Sequence, residues 1–147
     1  MAHVRQQIRD RIASVLSTSA TLVNQRVYTT RVYPLTSANL PAITVYTGAE
    51  VSNLQTMGAR TLMRNLDVAV DIYVRATSNT DSDVDTIAVQ VEEAIANDFT
   101  VNGLAKSVVL TGTDIDFNAD AEQPIGIARL TFSVSYITAI NNVETAK

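Results

Sequence analysis

Cysteine is absent from the 147 residues, which excludes a disulfide framework, a thiolate metal site and a thiol nucleophile. Histidine occurs once, as His3 beside the N-terminus, where a Ser–His or His–metal constellation finds no rigid support. Lysine is scarce: of 11 basic residues nine are Arg, they are scattered, and the net charge is −4. A protein that grips nucleic acid through phosphates needs a basic patch, because the affinity comes from counterion release. None is legible here. The five glycines are isolated and none follows a strand in the spacing that wraps a phosphate. No stretch approaches the ~20 apolar residues of a membrane span, and Met1 to Arg11 carries charges with no apolar leader core behind them. An aqueous compartment is therefore expected.

What is present is a chain that is 46% hydrophobic, in short periodic runs. Its length suits one domain, residues 1–147, burying roughly 70% of its unfolded surface. Val4, Ile8, Ile12, Val15 and Leu16 recur at spacings of three and four, which predicts a helix from Ala2 to Leu16 ended by Ser17–Ser19. Arg26–Tyr33 is rich in β-branched and aromatic residues and reads as a strand stopped by Pro34. A loop to Pro41 and a short strand Ala42–Tyr46 follow, with Gly48 marking a bulge or the strand's end.

The clearest segment is Leu66, Val68, Val70, Ile72 and Val74, alternating with Asp67, Ala69, Asp71, Tyr73 and Arg75: a strand with one buried face. The alternation continues back through Arg64 to Leu62, so the strand is roughly 45 Å long. A domain of this length is only about 38 Å across. The strand should overhang, with Gly48–Arg60 as the tip of a projecting hairpin arm suited to reaching a neighbouring subunit. Val84, Ile87, Ala88, Val91, Ala94, Ile95 and Phe99 predict a second amphipathic helix, ended by Asn102 and Gly103. Strands at Ser107–Phe117 and Ile127–Ile140 flank an acidic loop, Asn118–Gly126, and Asn141–Lys147 reads as a loose tail. The order αβββαββ, without a strand–helix–strand rhythm, predicts an α+β fold with a mostly antiparallel sheet, one or both helices on one face and the hairpin arm projecting from it.

Two acidic groups invite chemical readings. Asp81, Asp83, Asp85 and Glu92 occupy positions one, three, five and twelve of a calcium-loop pattern. Position six is Thr86 where the turn wants Gly, and helical spacing already begins at Val84, so capping and the helix dipole explain the carboxylates without a metal. Asp114, Asp116, Asp120 and Glu122 form a second group, read as a solvated loop or as a surface that must not stick to DNA. Arg60, Arg64, Arg75 and Arg129 are candidate partners for such acids across subunit borders. No catalytic, cofactor or metal site is expected.

The amphipathic helix HVRQQIRDRIASVL, the strand RVYTTRVYPL, the phrase LPAITVYTGAE, the long strand ending LDVAVDIYVRA, the helix DVDTIAVQVEEAIA and the closing IARLTFSVSYIT together resemble the tail-terminator proteins of long-tailed bacteriophages, the lambda-type group. The likeness covers nearly the whole chain and rests on order, length and texture, with no residue-level signature to transfer. It implies a virion protein of the tail or neck, assembled in the host cytoplasm. Its ring of identical copies, usually six, binds the last ring of the tail tube protein, stops its growth and offers a surface to the head connector. DNA passes through without specific binding. The candidate contact residues are Glu50, Asn53, Gln55, Met57, Arg60 and Arg64 of the arm and Asp116, Asp120 and Glu122 around the acidic loop. The competing readings are another head–tail joining or tail-completion protein, an unrelated homo-oligomeric binding module with a weak acidic metal site, and a small hydrolase using paired carboxylates.

Overall fold

Helix α1 begins because His3 caps it. The His3 carbonyl accepts the amides of Gln6 and Gln7 at 2.9 and 3.1 Å, and its Nδ1 accepts the Arg5 amide at 3.0 Å, so three of the first-turn donors find partners. The lone histidine is thus part of an ordered helix start, contrary to the unsupported terminus expected for it. A computed structural model describes residues 2–19, 27–29, 41–56, 58, 60–75, 80–118 and 125–147. In it α1 spans Val4–Ser19 and buries the stripe Val4, Ile8, Ile12 and Leu16. It runs past the expected stop at Leu16 because the Thr18 hydroxyl donates back to the Ser14 carbonyl at 3.2 Å, satisfying the hydroxyl inside the helix.

Among the described residues six strands follow in a mostly antiparallel sheet: β1 Val27–Tyr28, β2 Ala42–Thr56, β3 Thr61–Arg75, β4 Ser107–Asn118, β5 Ile125–Ala139 and β6 Asn142–Ala146, with helix α2, Thr80–Asn97, between β3 and β4. The lateral order is β1-β2-β3-β5-β4, and β6 adds to β5. β1 pairs with β2 in parallel, and the remaining pairs are antiparallel. Most of the expected Arg26–Tyr33 strand and the Pro34–Pro41 loop lie outside the described residues.

The second strand is far longer than Ala42–Tyr46, because Gly48 lies at a bulge and the strand continues beyond it. Thr47 stands opposite Val68 and Glu50 opposite Leu66, three residues against two. That one extra residue puts Glu50, in place of Ala49, on the side of the sheet that Leu66 faces. β3 is as long as its alternation predicts, and β5 accompanies it from Thr61↔Ala139 to Arg75↔Ile125. The hairpin β2–β3 is therefore braced by a third strand along its length.

Both helices lie on one face of this sheet. Leu66, Val68, Val70, Ile72 and Val74 of β3 and Ala128, Leu130, Phe132, Val134 and Tyr136 of β5 form one cluster with the buried stripes of α1 and of α2 (Val84, Ile87, Val91, Ala94, Ile95). Phe99 stays outside, 56% exposed. Helix α2 ends at Asn97, and a turn with positive φ at Val101, Asn102 and Gly103 brings Val101 into the core in its stead. Asp98 braces that turn, its carboxylate accepting the Asn102 amide at 3.1 Å and Arg11 Nε at 3.0 Å.

The loose tail expected from Asn141 is instead strand β6. β4 pairs with β5 only as far as Ser107↔Ser135, leaving the end of β5 open, and β6 fills it at Thr138↔Ala146 and Ala139↔Asn142. The Lys147 amide adds a bond to the Ile137 carbonyl at 2.9 Å. Backbone groups that would otherwise lack a partner at a sheet edge account for the ordering.

Candidate interaction surface

The bulge delivers the Glu50 carboxylate beneath the start of α1. There it accepts Arg5 Nη2 at 2.8 Å and Arg64 Nη1 at 3.2 Å, and the Tyr136 hydroxyl donates to its other oxygen. Arg64, 8% exposed, also donates from Nε to Thr138 Oγ1 at 3.1 Å. Burial alone would raise the Glu50 pKa, but the hydrogen bonds from Arg5 and Tyr136 and the two guanidinium charges outweigh it and hold the carboxyl below its ordinary value. The same contact, added to burial, pushes the Tyr136 hydroxyl up to about 12. His3 is held below its usual pKa by burial first and then by the Arg5 and Arg64 charges. Glu50 and Arg64, expected at a border between subunits, thus spend their charge inside the chain. One signal for this was in the sequence: Arg64 sits on the buried phase of the β3 alternation, where a cation needs an internal partner.

Beyond Glu50 the chain leaves the cover of the helices. Val51, Ser52, Asn53, Leu54 and Gln55 are all exposed, Val51 and Leu54 at 61% and 46%. Asn53 and Gln55 therefore lie on an accessible hairpin end, where Thr61 donates its hydroxyl to Gln55 Oε1 at 3.3 Å. Arg60 closes the turn with φ 50, and its carbonyl accepts the Ile140 amide at 3.0 Å. Met57 falls outside the described residues.

Among the described residues the opposite face of the sheet carries no helix. Asp71, 1% exposed on that face, accepts both Arg129 Nε at 2.9 Å and Nη2 at 3.2 Å, together with the Tyr46 hydroxyl at 3.0 Å. The Arg129 guanidinium lies 5.9 Å from the Tyr46 ring centroid, and its pKa is raised by the Asp71 bond and charge. Burial first, then Asp71, raises the Tyr46 and Tyr73 hydroxyls. Arg129, another candidate for contact between subunits, is therefore engaged internally. Elsewhere on this face the Ser135 hydroxyl donates to Asn65 at 2.7 Å, and Asp67, Asp114 and Asp116 are exposed. Asp114 stands opposite Arg129 in the ladder. Asp120 and Glu122 lie outside the described residues.

Asp81, Asp83 and Asp85 lie in the first turns of α2 and Glu92 further along it, so they do not form the loop that a calcium site of that pattern requires. Among the described residues no group of three or more His, Cys, Asp or Glu side chains is placed to hold a metal ion, and no helix is long and apolar enough to cross a membrane. Among the described residues, clefts border α2 on two sides. One of about 380 Å³ against α1 includes Arg11, Val15, Asn97 and Asp98 in its lining. The other, about 200 Å³, lies between α2 and β4 and is lined by Glu92, Ile95, Ala96, Val108, Leu110 and Phe132.

Residues 3–136 match the model of the family described as phage minor tail protein U. No curated protein matches the chain. Among solved structures, a chain of the "Virion of native gene transfer agent (GTA) particle" is similar at 16% identity and TM-score 0.48, over 90% of each chain.

Proposed function

Since the chain belongs to the phage minor tail protein U family, we propose that it forms the ring that ends the tail tube and receives the head connector. The family makes it a structural tail protein of the virion. A tube grows because each ring's upper surface fits the next ring's lower one, a heterologous contact that does not close by itself. A terminator shares one of those surfaces and changes the other, so polymerisation stops. On this reading its copies, six as a working number, are added in the host cytoplasm, and no catalytic step is involved.

The observation that carries the reading is the exposed hairpin end, Val51–Gln55, standing clear of the helices on both faces of its strand. An uncharged, solvent-facing strand end is a liability in a lone protein and an asset in one that meets neighbours. The helix-free face supports the passage of DNA: Asp67, Asp114 and Asp116 are exposed there, and Arg129 is already tied to Asp71. Such a wall repels phosphate rather than holding it.

The test is to assemble particles with a chain lacking residues 53–58, beside a milder Gln55→Arg variant, and to measure tails by electron microscopy. Overlong tails without heads are expected. Tails of normal length that fail to join heads would assign a joining role instead, and normal particles from both variants would refute the hairpin's part in capping.

A further inference from the structure

We infer that the exposed hairpin end of one copy docks as an added strand on β4 of the next copy, with its Leu54 in the apolar groove between α2 and β4. This rests on the ring reading above and names the lateral contact that would build the ring.

Three observations meet here. First, among the described residues the sheet has two edges without a paired strand, on opposite sides. Among the described residues nothing pairs with β4 on its outer side, and β1 pairs with β2 only at Ile43 and Thr44, leaving Val51–Thr56 uncovered. Edge strands are normally blunted by charge or proline. Neither Val51–Thr56 nor Ser107–Leu110 contains either, and Val51, Leu54 and Val109 are 61%, 46% and 57% exposed.

Second, the two edges adjoin in height and match in direction. Val51, Asn65, Ser135 and Ser107 form one row across the sheet, the hairpin end continuing from it one way and β4 the other, so a neighbour rotated about an axis inclined to the strands brings its hairpin alongside β4. β2 runs with β5 and β4 runs with β3, so β4 and the incoming β2 are antiparallel. Leu54 stands opposite Leu62, and Val108 lies in the row of Leu66. A stagger of four residues, about 13 Å, therefore sets Leu54 against Val108 and Asn53 against Val109. Strands tilted from the axis of a ring close with a stagger of this kind, and an even one keeps every side chain on its own face.

Third, the groove fits what would enter it. Val108 and Leu110 face the helix side with Ile95, Ala96 and Phe132, and Glu92 stands in the lining of the about 200 Å³ space. Leu54 projects to that same side of the sheet, opposite Leu62. Because the two surfaces lie on different edges of the molecule, the contact is heterologous and closes only through a ring.

The chain's lack of cysteine makes the test direct. Asn53→Cys and Val109→Cys, both at exposed positions on the helix-free face, are combined in one chain, assembled into particles and oxidised. A ladder of covalent oligomers ending at the ring is expected. Each single variant should give none, and a mixture of the two singles should give dimers only. Val51→Cys with Val109→Cys tests a stagger of two residues. Leu54→Asp should abolish the ring while leaving the thermal unfolding temperature of the monomer unchanged. If micrographs show rings but neither cysteine pair cross-links, this docking is wrong and the ring reading stands. If tails contain a single copy, both fall.

Discussion

The sheet carries a buried or half-buried carboxylate on each face, and the two do different work. Glu50 lies under the helices and binds Arg5 of α1, Arg64 of β3 and Tyr136 of β5, so four elements meet on one anion. Asp71 on the open face binds Arg129 and Tyr46 from the two strands flanking its own, and ties strand to strand only. The first anchors the root of the exposed hairpin to the helix layer. The second covers a patch of sheet that has no helix to cover it.

The comparison can be broken by removing one anion at a time. Glu50→Ala should cost about 3–5 kcal/mol, because it strands the buried Arg64 guanidinium, and chemical unfolding would measure it. Asp71→Ala should cost less, about 1–3 kcal/mol, since Arg129 is half exposed and can turn to water. Adding Arg129→Ala to Asp71→Ala should then cost less than about 1 kcal/mol more. The sites lie about 16 Å apart along β3, so Glu50→Ala and Asp71→Ala should add to within about 0.5 kcal/mol. A larger coupling would mean the two faces are not independent.

The smallest effects are those of pH, and their signs are fixed. His3 is held below 6.5 in the folded chain, so unfolding takes up a proton and its contribution, complete above that pH, fades as pH falls below it. Glu50 acts in the same direction below 4.5. His3→Asn, which keeps a capping acceptor, should flatten the melting temperature between pH 7.5 and 5.5, values chosen to bracket that titration roughly. At the alkaline end the folded chain holds the Tyr136 proton up to about 12. Stability should therefore fall as pH rises past 10, and Tyr136→Phe should remove part of that slope.

How much of this was legible depends on whether the cause is local. The phases of α1, β3 and β5 could be read because each is a periodic run against one core. The length of β2 was hidden by Gly48, which marks a bulge as readily as an end. β6 was hidden because NVETA has no alternation, and its order comes from the vacant end of β5. Phe99 has the right spacing, but the turn at Val101–Gly103 intervenes. In the polar clusters, Arg64 betrayed itself by standing on the buried phase, whereas Asp71 and Arg129 meet through a register of 71 with 129 that no local pattern encodes. The hairpin end was foreseen as an arm, but its bracing by β5 was not.

Gln7 Nε2 spans the carbonyls of Ala2 and Glu144, at 2.7 and 2.9 Å, so the first and last segments meet at one corner, beside the closing turn of the hairpin, whose Arg60 bonds Ile140. A purification tag or fluorophore fused at either extremity would crowd that corner. Labels intended for imaging are better attached midway along the outward side of α2, at Asp85 for instance, where a bulky adduct leaves the corner clear.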